Sequence, residues 1–473
     1  MLFNSWEFVG FFLVVLGLFF SLPHRFRIYL LLSASYYFYM SWRWEFGFLM
    51  LAVSLSNFYV GRQVAKGKNK GWWMVLTSTI SVLPLLYYKY GNFILDSVGD
   101  LSGMFGKPTD FPELQVILPV GISFFTFQAL SYSIDIYRGK IQPEPSVVKF
   151  LTFVAFFPQL VAGPIERTDH IIPQFDREKK FDLSEAVAGM KIFVWGLFKK
   201  VVIADRLAMY SDTVFTNPDS HTGPTLALGT IFFTFQIYCD FSGYSDMAVG
   251  IARVFGFRLM QNFNLPYLSS SIAEFWKRWH ISLSSWFGDY LYIPLGGNRV
   301  SVPRWIANIF IVFLVSGLWH GANWTFVVWG GLHASYYLLE YIGTQSLNLL
   351  GLSHWIKSLV YRWIKVPVVF LLVAFAWIFF RANSLDQAFL IIGKIAAWQG
   401  SVWWGSSAIT SLLSLALIGL LIAVMLLQAK GWIGIYYQKS KAPSWVSFIA
   451  FLGLLLGISL FGVSSNAFIY FQF

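Results

Sequence analysis

A chain of 473 residues that is 57% hydrophobic and 12% charged, with 21 Trp, 23 Tyr and 49 Phe, carries more apolar surface than a soluble fold of its size can bury. A single cysteine, Cys239, excludes an intramolecular disulfide framework and is expected to be a small core residue. The net charge of +11 collects in short clusters at 62–70 and 177–180, as in loops beside an anionic cytoplasmic leaflet, so no nucleic acid partner is expected. The fold class these facts imply is an all-α polytopic membrane protein, with the lipid bilayer as its first partner.

Apolar runs predict spans at 6–22, 27–41, 45–61, 72–95, 116–137, 148–162, 184–204, 224–252, 305–319, 324–340, 367–381, 408–428 and 445–465. That amounts to about 11–13 transmembrane or re-entrant helices. The first run lacks a basic leader and an A-x-A pattern and is expected to be a retained span. The basic loop at 62–70 assigns that end of the third span to the cytoplasm, and the acidic loop at about 97–115 to the outside. Run 148–162 is short with basic flanks, which suits a re-entrant helix. Gln128 and Gln236 each close a Phe-Phe-Thr-Phe-Gln segment inside an apolar span, where an amide is expected to bond another helix. The chain closes on apolar residues at 467–473. Three regions are expected: 1–115 as N-terminal transmembrane helices, 116–345 as a catalytic core with re-entrant and interfacial helices, and 346–473 as C-terminal transmembrane helices.

Three groups of polar residues stand in apolar surroundings. Residues 305–339 contain no Lys, Arg, Asp or Glu, and as one helix would run about 52 Å, too long for a hydrocarbon core of about 30 Å. Gly321 and Asn323 predict a break, which leaves His320 at or inside the membrane boundary, where an imidazole is costly unless used or partnered. Ser271-Ile-Ala-Glu274 has the capping-box pattern, so an amphipathic helix is expected from Ile272 toward Pro294. Trp276, Trp279, His280, Leu283, Trp286, Phe287, Tyr290 and Leu291 share its apolar face; Arg278, Ser282, Ser285 and Asp289 oppose them. A neutral His280 on that face can accept a proton or a hydrogen bond, or simply orient the helix. Asp240 and Asp246 flank Tyr244 in a third apolar run; they can support an imidazole or pair with Arg253, Arg258 or Lys277. Arg167, in the tight turn at 163–167, can meet phosphate or carboxylate. His333 reads as a helix-packing group, and His24, His170, His221 and His354 carry no sharp signal. No H-E-x-x-H, cysteine cluster, P-loop or dinucleotide fingerprint is present, so neither a metal site nor a bound cofactor is expected.

Six segments together resemble the membrane-bound O-acyltransferase (MBOAT) superfamily: Phe-Pro-Gln-Leu-Val-Ala-Gly-Pro at 157–164, Tyr-Cys-Asp-Phe-Ser-Gly-Tyr-Ser-Asp at 238–246, Asn-Phe-Asn-Leu-Pro-Tyr at 262–267, Glu-Phe-Trp-Lys-Arg-Trp-His at 274–280, Asp-Tyr-Leu-Tyr-Ile-Pro-Leu-Gly-Gly-Asn-Arg at 289–299 and Ser-Gly-Leu-Trp-His-Gly-Ala-Asn-Trp at 316–324. The nearest look is to its bacterial polysaccharide branch, typified by the membrane subunit of alginate O-acetylation. The resemblance implies a ring of tilted and re-entrant helices around a central funnel, with His320 at the family's near-invariant histidine and His280 at its second active-site position. Gly288 departs from the pattern, since relatives commonly carry Arg there. The resemblance further implies a thioester donor on the cytoplasmic side of the inner membrane, acetyl-CoA or an acyl carrier, and a periplasmic acceptor. An esterase-like transferase that finishes O-acetylation of an exopolysaccharide is the implied partner.

On this reading His320 is a general base, His280 bonds the thioester oxygen or leaving group, and Asp240, Asp246, Tyr244, Arg278 and Asn323 bind or position substrate. The two imidazoles are expected to meet at a throat reachable from either side. The main rival is a transporter or flippase for an acyl carrier or saccharide, since intramembrane His and Asp suit that class too. A structural scaffold for a secretion complex accounts least well for the histidines.

Overall fold

The computed structural model describes residues 1–107, 109–161, 163–351, 358–434, 443–463 and 468–469, with the side chain at 359 excepted. His354 and most of the apolar segment 467–473 lie outside them. The described residues form helices and connecting turns, without a strand, as expected for an all-α membrane fold. Four helices are long and apolar enough to cross a membrane: Val302–His320, Val360–Arg381, Ala408–Ala429 and Ser444–Phe461. Trp6–Ser21 and Val147–Leu160 are apolar but shorter.

The chain divides into two compact units. The first comprises Met1–Phe193 with Met247–Met260. Its interior is aromatic, and polar side chains tie its helices together. Asn57 on the helix Glu45–Ala65 donates to Ser81 on Lys70–Leu85 and accepts from Ser133 on Ile122–Tyr137, at 2.9 and 2.8 Å. Gln128 donates to the Phe153 carbonyl at 2.7 Å, the interhelical role expected of it. The segment expected to be re-entrant is two short helices, Val147–Ala155 and Phe157–Leu160, broken at Phe156 where Pro158 follows. Glu166 is wholly buried; it accepts from the Met260 amide and from His170.

The second unit, Val194–Asp246 with Gln261–Phe473, contains every candidate site residue. Its framework includes a hairpin of the helices Val302–His320 and Trp324–Leu349. These backbones approach closely because glycine stands at the contact. A Cβ on Gly317 would lie 2.2 Å from the Phe326 carbonyl oxygen, and one on Gly330 would lie 2.3 Å from that of Phe313. Small residues are what allow such an approach where lipid offers no hydrophobic drive. Gln236 again bonds a neighbouring helix, accepting from Ser211 on Asp205–Thr216.

Candidate active site

The break predicted after His320 is present. The first helix ends at His320, Gly321 is extended, and Asn323 caps the next helix by accepting from the Thr325 amide at 2.9 Å. The Asn323 amide also donates to the Asn383 carbonyl at 3.0 Å. Asn323, expected at substrate, therefore holds the corner that presents His320.

The continuous amphipathic helix expected through 272–291 is not what forms. Ser271 does cap it, accepting from the Glu274 amide at 2.8 Å, but the helix stops at Arg278. Trp279 is extended and His280 is left-handed, with φ 45° and ψ 56°; a second short helix, Ile281–Phe287, follows. A non-glycine residue in that region costs about 1–2 kcal/mol, so its surroundings must impose it. Two backbone bonds to the segment 262–264 do so: Asn264 N–H to the Arg278 carbonyl and Ile281 N–H to the Asn262 carbonyl, both 2.9 Å. The Asn262 side chain adds an acceptor for Ser282 Oγ at 2.6 Å. The kink resets the helical phase, and Ser282, on the expected polar face, is buried. Gly288 meets open space at its Cβ position, so no contact there demands glycine.

Both chain breaks deliver their histidines to one place. The imidazole centroids of His280 and His320 are 6.4 Å apart. Trp319 packs on both, at 5.8 and 4.9 Å. Phe241 covers His280 at 4.6 Å; Trp329 and Phe380 cover His320 at 5.1 and 5.4 Å. The expected throat open from either side is not seen, because this aromatic sleeve leaves His280 0% and His320 2% exposed. His333, also fully buried, packs on Trp329 at 4.8 Å, and its Nδ1 accepts from Trp276 at 3.3 Å.

Asp240 and Asp246 take partners that sequence reasoning missed. Asp246 lies 2.8 Å from Lys199 Nζ, and Asp240 lies 2.8 Å from Lys200 Nζ, which also reaches Asp205 at 2.8 Å. All five side chains are between 2 and 4% exposed. The remaining Asp240 oxygen accepts from the Ile469 amide at 2.7 Å. Arg253, one of the expected partners, pairs with Glu185 in the first unit. Lys199 and Lys200 fall within the span expected at 184–204, in a π-turn over Lys199–Ala204 that is buried throughout. Tyr244, 1% exposed, packs on Phe468 at 4.8 Å.

Arg278 faces a cavity of about 660 Å³ that is lined in part by Lys199, Asp246, Arg362, Trp363 and Lys430. Glu274 lies 2.7 Å from Arg278 and 3.4 Å from Arg362. Two further lining residues, Tyr238 and Phe263, pack on Trp279 at 6.2 and 5.1 Å, and Phe263 packs on Phe241 at 4.9 Å. Phe241 thus stands between Phe263 on the wall of this basic bay and the His280 imidazole.

The sequence model of the MBOAT, membrane-bound O-acyltransferase family matches residues 137–419, a span that includes both histidines, the lysine–aspartate set, and Arg278 and Arg362 of the basic bay. The chain belongs to that family. It is 40% identical over 445 residues to the "Probable alginate O-acetylase AlgI" of Azotobacter vinelandii, covering 93% of this chain and 86% of that protein. It is 34% identical to the peptidoglycan O-acetyltransferase of Helicobacter pylori, covering 78% of this chain and 74% of that one. A teichoic acid D-alanyltransferase of Bacillus subtilis is 28% identical, over 59% of this chain and 70% of its own. The chain is therefore a membrane acyltransferase of the MBOAT family, an enzyme, and its relatives acylate polysaccharides or wall polymers.

Proposed function

We propose that this protein is the membrane subunit of an exopolysaccharide O-acetylation system in the bacterial inner membrane. It takes an acetyl group from a cytoplasmic thioester, acetyl-CoA, and passes it to a periplasmic acceptor: a hydroxyl of the polymer or of an esterase-like partner transferase. His320 is the general base. It removes the proton of the attacking hydroxyl as that oxygen bonds to the thioester carbon. The C–S bond then breaks, and the proton passes from the imidazolium to the leaving thiolate. His280 hydrogen-bonds the thioester or its leaving sulfur.

The observation that carries this reading is the convergence of two buried imidazoles, 6.4 Å apart, from two separate chain breaks in a water-poor aromatic sleeve. Exclusion of water suppresses hydrolysis of the thioester and strengthens every dipole in the site. The basic bay, with Arg278, Arg362 and Lys430, supports a phosphate-bearing donor. The similarity to an alginate O-acetylase and a peptidoglycan O-acetyltransferase supports acetyl as the group and a glycan as its destination.

The test is release of free CoA from acetyl-CoA by the purified chain in the presence of a hydroxyl acceptor. Wild-type protein is expected to release CoA and His320→Ala to lose that activity while staying inserted and folded. An active His320→Ala variant sinks the assignment of the base.

A further inference from the structure

Three indoles of the sleeve share a property that packing alone does not explain. Trp279, Trp329 and Trp377 are each 0% exposed, and the N–H of each meets no hydrogen-bond acceptor among the described residues. A buried donor without an acceptor is costly, and native interiors rarely tolerate one without a reason. The three lie in one contiguous stack: Trp279 to Trp377 at 5.1 Å, and Trp377 to Trp329 at 5.7 Å. Trp329 stands against His320, edge-on at 84° with centroids 5.1 Å apart. His333, Trp276 and Phe380 pack on Trp329 as well, at 4.8, 5.6 and 5.3 Å, so its ring has little freedom to turn.

We propose that the indole N–H of Trp329 is a catalytic hydrogen-bond donor to the acyl oxygen. This inference rests on the acyl-transfer reading of His320. As the acceptor hydroxyl oxygen bonds to the thioester carbon, the carbonyl π electrons move onto oxygen and its negative charge grows. That charge returns to re-form the carbonyl when the C–S bond breaks. A fixed N–H in a dry site stabilises the charge without reorganising, which is the condition for a strong effect. An indole also carries no titratable proton at neutral pH, so the donor stays a donor while His320 cycles between base and acid.

The experiment is CoA release by the full-length protein, comparing Trp329→Phe, Trp377→Phe, Trp329→His and His320→Ala. Trp329→Phe keeps an aromatic ring and removes the N–H. The expected loss in kcat is about 10²–10³-fold, with KM for the thioester and the thermal midpoint near wild type. Trp377→Phe opens an equal space one ring away and is expected to stay within about tenfold of wild type. Trp329→His, which returns a ring N–H, is expected to recover at least about tenfold over the Phe variant, and serves alone where the Phe variant does not fold. A folded Trp329→Phe with wild-type kcat, or a folded Trp329→His as inactive as His320→Ala, overturns the proposal. Activity retained in His320→Ala overturns instead the reading on which it rests.

Discussion

Lys200 offers the most quantitative test of the physical account. Its ammonium is shared by Asp205 and Asp240, each 2.8 Å away, and all three groups are out of solvent. Lys200→Met removes the cation and leaves two carboxylates whose facing oxygens can be no farther apart than twice that distance. At an effective dielectric of about 20, two unit charges so placed repel by about 3 kcal/mol. Breaking a buried pair by deleting one partner costs about 3–5 kcal/mol, and a cation serving two anions belongs at the upper end. Unfolding entropy of roughly 2 cal/mol/K per residue makes a chain this long lose about 1 °C per kcal/mol. Lys200→Met should therefore lower the thermal midpoint of the purified protein by about 5 °C. Lys200→Met/Asp205→Asn/Asp240→Asn removes the charges together, and most of the loss should return, because the penalty belongs to the unmatched anions. Detergent-solubilised protein, heated and followed by size-exclusion fluorescence, gives both midpoints. If the single variant matches wild type, or the triple variant is worse than the single, the three groups are not mutually compensating and the reasoning fails.

Two further outcomes follow from particular contacts. Gly330→Ala forces a methyl to within 2.3 Å of the Phe313 carbonyl, whereas Gly331→Ala meets Leu314 at an ordinary 3.8 Å. The first should cost about 1–3 kcal/mol and displace His320, cutting CoA release, while the second should be silent in both assays. In the first unit, the hydrogen bond that His170 donates to the Glu166 carboxylate holds its imidazole above the usual range. A folded-state pKa above the unfolded one contributes stability that is complete below about pH 6.5 and fades as pH rises through the folded value. Thermal midpoints should accordingly fall with rising pH across that window, and His170→Ala should flatten that part of the profile; an unchanged slope would show that the pair is not coupled to folding.

Several features of this protein could be read from local chemistry. Twenty-one tryptophans, long uncharged runs and clustered basic loops point to helices in lipid, because a helix satisfies its own backbone there and the runs are continuously apolar, not alternating as barrel strands are. The turn after His320 was equally legible, since Gly321 and Asn323 are poor helix residues and Asn is a good cap. So was the bonding of Gln128 and Gln236 across helices, for an amide in an apolar span has few alternatives.

What lay beyond the linear pattern depends on groups far apart in sequence. A helical wheel through 272–291 assumes one phase, and only the pairing of 262–264 with 278–281 reveals that His280 is a left-handed kink. Likewise, Lys199 and Lys200 fall inside the span expected at 184–204, and nothing nearby in the chain announces that Asp246 and Asp240 await them some forty residues later. The aromatic closure over both histidines, and the placing of Trp329 against one of them, belong to the same class. Residue type sets what each side chain can do in a low-dielectric medium; which partners it meets there is decided by tertiary packing, because the cost of burying a charge or a donor falls only when the fold brings its complement within reach.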